Sequence, residues 1–134
     1  EEFLECRDTI EPAARRRAEH VLRENGRVLD GIEALRNGDS GKLGKLMVES
    51  HASSRDLFGN SCEELDFLVD AASGLPGFIG GKLSGGGFGG ATVNLVEENA
   101  VAEFQAGLEE KWTARFMKPL RIFETHIGNG AQLL

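Results

Sequence analysis

Cysteine is scarce in this chain: Cys6 and Cys62 are the only two among 134 residues. They stand far apart, with no Cys-x-x-Cys step and no matching histidine pair, so the sequence spells out no zinc site. A disulfide between them is not expected in a cytosolic setting. Basic charge is also short. Lys and Arg number 15 against 22 Asp and Glu, a net charge of −7, whereas a general nucleic-acid binder shows a basic face. The run Arg15-Arg16-Arg17 does not change this, because on a helix the three point in different directions and read as solvated surface. No apolar stretch reaches the length of a membrane span. Residues 1–8 are acidic and lack a signal-peptide apolar region. The expectation is a cytoplasmic chain that engages neither membrane nor nucleic acid. No repeat, linker or low-complexity tract divides it.

What is present suits one ordinary globular domain over residues 1–134, with 40% apolar and 28% charged residues. Residues 10–36 read as a long helix. Pro12 suits its first turn. Ile10, Ala14, Val21, Val28, Leu29, Ile32 and Leu35 recur at roughly helical spacing, with Gly26 and Gly31 weakening the run. Gly38 is a fitting residue just past its end. A second helix runs from about Ser40 to Phe58, with Leu43, Leu46, Met47, Ser50, Ser54 and Leu57 as a stripe of apolar and small residues, and Gly59-Asn60 ends it. Ser61 and Glu64 suggest a capping box for a third helix, buried through Leu65, Leu68, Val69 and Ala72 and broken by residues 74–77. Strands follow at 78–84 and 91–97. Asn99 is a fitting N-cap for a fourth helix to Phe116, with the stripe Val101, Phe104, Leu108, Trp112 and Phe116. Leu120–His126 alternates as a last strand, and the tail from Gly128 is expected to be loose. Strands gathered in one sheet with helices on one face make an α+β sandwich.

The segment between the two adjacent strands is the most informative. Seven of the eleven residues from 80 to 90 are glycine (80, 81, 85, 86, 87, 89 and 90). Such a loop reaches positive φ and brings backbone N–H groups close to a ligand or to another backbone. Gly85, Gly87 and Gly90 satisfy G-x-G-x-x-G, but that motif opens a helix in a dinucleotide fold. Here it opens residues 91–96, where β-branched and apolar residues favour a strand. No Gly-Lys-Ser/Thr ending follows, so the P-loop reading fails as well. Two readings stay open at this level: an oxyanion cradle, or a strand crossing that needs glycine for steric reasons alone.

Several motifs then point to one family. Residues 83–90, Leu-Ser-Gly-Gly-Gly-Phe-Gly-Gly, resemble the third, C-terminal motif of the galactokinases, within the GHMP small-molecule kinase superfamily. Residues 17–21 and 24–28 resemble the family's helix after the interdomain segment, and residues 34–39 its end. Residues 46–56 and 61–66 are similar to its Glu-Ser-His…Arg-Asp and Ser-Cys-x-Glu-Leu-Asp signatures. The resemblance runs from about residue 10 to the end. It implies a ferredoxin-like GHMP kinase C-terminal domain, with an antiparallel sheet packed against helices. It departs inside the motif, where Lys82, Leu83 and Ser84 replace the common Arg-Met-Thr and Ala91 stands where a Cys is frequent. An Arg-to-Lys change keeps charge but not the bidentate fork, so the preferred sugar stays open.

The resemblance implies an ATP-dependent sugar 1-kinase, galactose to galactose 1-phosphate, cut to its C-terminal portion. The family's N-terminal sugar signature, its ATP-phosphate loop and its catalytic aspartate do not occur here. ATP and Mg2+ would be bound mainly by that N-terminal domain, and the chain alone is expected to be inactive, with no catalytic residue and no metal ligand of its own. Gly85, Gly86 and Gly87 would lie beside the transferring phosphate and the sugar, with Gly86 the best single candidate for a ligand contact. Ser84 would bond a phosphate or sugar hydroxyl. Lys82, Phe88, Gly89 and Gly90 would build the loop, Phe88 as a core residue rather than a stacking one. The expected partners are sugar, ATP and the N-terminal domain, with a homodimer through exposed interdomain surface. A reading of another class is a non-catalytic sugar-sensing or protein-interaction domain that keeps the fold. Glu49, His51 and Asp56 form no tidy triad, because His51 lies off the face shared by the other two, and a structural or interface role is favoured. His20 and His126 have no nearby partners in sequence.

Overall fold

The computed structural model describes Phe3 and residues 6–126. Helix α1 spans Pro12–Arg36 without interruption, its first turn capped by Glu11, whose carboxylate accepts the Ala14 N–H at 2.9 Å. Gly38 takes φ 65° just past its end, the left-handed step that frees the chain from the helix. Asp39 then caps α2 (Ser40–Ser53) by accepting the Lys42 N–H at 2.8 Å. The last turn of α2 widens into a π turn, Ser54–Phe58, closed by Gly59 at φ 77°. Helix α3 covers Glu63–Ser73, and α4 covers Val101–Phe116 after a short 3-10 turn, Glu98–Ala100.

Strands β1 (Phe78–Ser84) and β2 (Ala91–Val96) pair antiparallel, from Phe78 opposite Val96 to Ser84 opposite Ala91, with a bulge between Phe78 and Gly80. Helices α2 and α3 pack on β1, and α4 packs on α3. The core lies between α3 and α4, where Leu68, Ala71, Ala72, Phe104, Leu108 and Trp112 are buried, with Phe67, Phe78, Val96 and Phe116 packed around them. The Phe67 and Phe116 rings meet edge to face at 5.2 Å, the geometry their quadrupoles favour. This is the α+β arrangement expected, an antiparallel pair packed on helices.

Four local expectations are corrected. The stretch 120–126 forms no strand: its Phe123 is 80% exposed and neither face is sealed, so its alternation has no layer to serve. The Ser61–Glu64 capping box does not form. Cys62 is the N-cap, without a side-chain bond, and the Ser61 hydroxyl donates instead to the Asp66 carboxylate at 2.5 Å, a charged and therefore stronger acceptor. Asn99 is not an N-cap but sits inside the 3-10 turn, leaving Ala100 at the boundary of α4. The fourth concerns α1. Its apolar residues Val21, Val28, Leu29, Ile32 and Leu35 are exposed, and Gly31 and Ala34 are its buried positions. The expected loose tail from Gly128 lies outside the described residues.

Candidate functional site

The hairpin connection between β1 and β2 is held from outside by a single residue. Asn60 lies just before α3 and is buried. Its Nδ2 donates to the Gly86 carbonyl at 3.2 Å, and its own carbonyl accepts the Phe88 N–H at 2.8 Å. Between these bonds sits Gly87 at φ 82°, where a Cβ would come within 2.0 Å of the Asn60 carbonyl oxygen. Only glycine fits there, for both conformation and space. Gly85 at φ 77° and Gly89 at φ 109° use the left-handed region too, but a Cβ on either would meet nothing within 4 Å. Gly86 has neither a positive φ nor a neighbour within 4 Å of a Cβ. Gly90 likewise has no positive φ, and a Cβ there would make only ordinary contacts, 3.5 Å from the Ser84 carbonyl oxygen at the nearest, so at Gly86 and Gly90 this domain supplies no steric reason for glycine.

The loop opens on a cleft of about 420 Å3 lined by Lys82, Ser84 and Gly85 from the hairpin and by His20, Glu24, Ser54 and Asn60 from the helices. Three expected site residues thus meet there, while Gly86 and Gly87 sit on the Asn60 anchor beside it. Gly89 and Gly90 continue the turn toward β2. Phe88 is corrected: it is 77% exposed at φ 55°, because the anchor fixes its backbone against Asn60 and turns its ring away from the core.

Charge in the cleft is balanced. Glu24 accepts from the Ser50 hydroxyl at 2.7 Å, bonds Arg27 and stands 3.9 Å from the Lys82 ammonium. Burial raises its carboxyl pKa, but the Ser50 and Arg27 bonds outweigh that and hold it below the usual range. Asn60 keeps a buried Oδ1 with no partner among the described residues, an acceptor that a bound water or a ligand donor can satisfy. His20 finds partners that its sequence neighbours did not offer: its Nδ1 lies 2.9 Å from Ser53 Oγ, and its ring lies 4.9 Å from that of Phe58. Among the described residues, no three His, Cys, Asp or Glu side chains gather as a metal site.

Beneath the cleft, His51 joins helix to strand. It is 2% exposed. Its Nδ1 accepts the Leu83 N–H at 3.3 Å, so its proton sits on Nε2, which faces Asp66 Oδ1 at 3.2 Å. Burial lowers its pKa, and the nearby Asp66 offsets this only in part. A neutral ring therefore ties α2, α3 and β1 together one residue before Ser84. This is the structural role expected for His51. Glu49 and Asp56 take no part, Asp56 pairing with Arg55 at the surface.

Sequence reasoning missed Asn60 as a site residue and read it as a helix stop. Nothing local marks it, because its two partners lie 26 and 28 residues away. Glu24 and His20 were visible only as parts of a resembling helix.

Residues 32–114 match the family described as GHMP kinases C terminal. Over 118 residues, 88% of this chain, the sequence is 44% identical to the galactokinase of Thermotoga maritima, of which it covers 34%. The galactokinase of Homo sapiens is 45% identical over 136 aligned positions, covering all of this chain and 33% of that protein. The solved structure of Lactococcus lactis galactokinase complexed with galactose superposes with a TM-score of 0.78 at 30% identity, over 81% of this chain and 28% of that one. A mevalonate kinase of L. major in complex with R-mevalonate superposes at 0.59, with 34% identity over 64% of this chain and 26% of that one. The chain spans about a third of the length of the curated relatives it matches.

Proposed function

This chain belongs to the GHMP kinase family, and from that premise we propose that it is the C-terminal unit of an ATP-dependent sugar 1-kinase acting on galactose. The glycine loop after β1 would line the place where the phosphoryl group passes. One observation carries this reading: the loop of the family resemblance opens on a cleft lined by Lys82, Ser84, Glu24 and His20 together with Leu83 and Val93, and Gly86 beside it is free of any internal steric demand. A glycine where the domain has no steric need for one is suited to close approach by a ligand.

Phosphoryl transfer asks for positioning and charge stabilisation rather than covalent chemistry. Gly85, Gly86 and Gly87 would offer preorganised backbone donors to the oxygens on which charge develops. Asn60 holds that arrangement rigid. Ser84, Glu24, His20 and the unpartnered Asn60 Oδ1 supply donors and acceptors of the kind that fits a polyhydroxyl ligand. Lys82, half-compensated by Glu24, would draw a phosphate.

The cleft does not fit a divalent cation. Its one carboxylate, Glu24, is already engaged by Ser50 and Arg27. We assign Mg2+, the bulk of ATP binding and the group that takes the sugar hydroxyl proton to an N-terminal domain outside this sequence. The cytoplasm is the proposed compartment.

The test is Gly86→Val in the protein that includes its upstream region. Stability of the folded unit should change by less than about 0.5 kcal/mol, as for surface substitutions that touch nothing. Turnover on galactose should fall by about a hundredfold or more, the scale of losing oxyanion donors. Undiminished turnover refutes the assignment of the loop. If neither the chain nor the longer protein phosphorylates galactose or a panel of related sugars, the non-catalytic sensing or interaction reading replaces it.

A further inference from the structure

Helix α1 is built inside out. An ordinary surface helix turns its apolar stripe to the core and its polar face to water. Here the inward face carries Glu24, Arg27, Gly31 and Ala34, which pack toward α2 and the π turn through contacts such as Glu24 with Ser50. The outward face carries Val21 at 49% exposure, Val28 at 60%, Leu29 at 69% and Leu35 at 58%, with Leu22 and Ile32 also exposed. Exposed apolar surface on this scale marks a contact that something else covers.

The pattern of the stripe says what kind of element covers it. Ala14, Ala18, Val21, Asn25, Val28, Ile32 and Leu35 follow one another in alternating steps of four and three residues. That is a 3.5-residue repeat, the spacing at which one helix seats its side chains between those of another. Leu22 and Leu29 widen the seam along one border. Asn25 is its one polar position, and an asparagine in such a seam fixes register at some expense of stability.

Two observations point to the occupant. The match to the C-terminal family unit begins at residue 32, so most of α1 lies ahead of that unit. Galactokinases nevertheless align with the whole chain while being about three times its length. The seam thus lies on residues shared with longer proteins and mostly ahead of the matched family segment. We infer that the outer face of α1 docks an amphipathic helix from the part of the protein outside this sequence, with a hydrogen-bonding side chain opposite Asn25. The inference rests on the reading of this chain as one unit of a larger kinase.

Thiol labelling tests it. Leu29→Cys is placed in a Cys6→Ser, Cys62→Ser background, in the 134-residue chain and in the protein that includes its upstream region, and modification is read at position 29 by peptide mapping. Modification by a bulky maleimide should be fast in the chain. In the longer protein it should be slower by about tenfold or more, since a covered side chain reacts only through local opening. Equal rates in the two overturn the inference, as does a reading frame that begins with this chain. A third result also overturns it: a longer protein that dimerises through this face, with Val28→Glu plus Leu29→Glu making it monomeric, since a second copy would then fill the seam. Protection does not depend on turnover. A protected thiol in a protein that phosphorylates no sugar upholds the docking and removes the kinase reading, while an unprotected thiol in an active kinase does the reverse.

Discussion

Two groups of glycines lie on the same hairpin, a few residues apart, and they do different work. At Gly80 a Cβ would fall 2.3 Å from the Gly44 Cα, and a Cβ on Gly44 would fall 2.0 Å from the Ile79 carbonyl oxygen. Where Gly44 crosses Gly80, helix α2 lies on β1 backbone to backbone, so these glycines are set by packing. At Gly85, Gly86 and Gly89 a Cβ would meet nothing. Gly87 stands between the groups, needing glycine for its φ and for the Asn60 carbonyl beside it. In sequence the run reads as one feature with two open explanations, an oxyanion cradle or a steric crossing. The steric explanation holds at the packed end, where a Cβ at Gly80 would collide with α2. The oxyanion role of the open end remains our proposal.

That contrast makes ranked predictions. Gly80→Ala should cost the most, about 3 kcal/mol, because a close-packed helix and strand must move apart to admit a methyl group. Urea denaturation of the chain measures it, and a loss under about 0.5 kcal/mol would show that α2 does not rest on β1 as described. Gly87→Ala should cost about 2 kcal/mol, from left-handed strain in a residue with a Cβ together with the displaced Asn60 carbonyl. It should also speed amide exchange at Phe88, whose N–H bonds that carbonyl; unchanged exchange there would remove Asn60 as the loop's anchor.

The smallest effect is on pH dependence and concerns the joint between the two ends. Burial depresses the pKa of His51, so below the ordinary histidine value of about 6.5 the unfolded chain binds more protons than the folded one. Stability should therefore decline gently as pH falls through that region, and a protonated Nδ1 can no longer accept the Leu83 N–H. His51→Gln should flatten the slope between pH 7.5 and 5.5. An equal slope in both proteins would show that His51 does not titrate there. Glu24, whose carboxyl is held low, loses its contribution only at more acidic pH, below the ordinary carboxylate range, so the two windows separate.

Much of the fold was legible because it is written in local chemistry. Pro12, Gly38 and Gly59 mark helix ends by what their backbones can or cannot do. The stripe of Phe104, Leu108 and Trp112 in α4 is buried as its spacing requires. The failures differ in cause. Ser61 finds a charged acceptor five residues on at Asp66, Asn99 is taken into a 3-10 turn, and the alternating stretch 120–126 has no layer to satisfy. Phe88 was expected in the core because its ring is apolar, but Asn60 decides where its backbone lies. Asn60 itself gave no sign, since its importance consists of two bonds to a distant loop.

By itself, then, the sequence determined the order of the four helices and the hairpin, the glycine loop between two strands and the apolar run along α1. Those follow from short-range sterics, from periodicity and from the missing Cβ of glycine. Tertiary structure alone decided which glycines are packed and which are open, and that His51 and Asn60 hold the loop. It also decided that α1 turns its seam outward. These are matters of which surfaces meet across tens of residues, and burial and hydrogen bonding act on distance in space rather than distance along the chain.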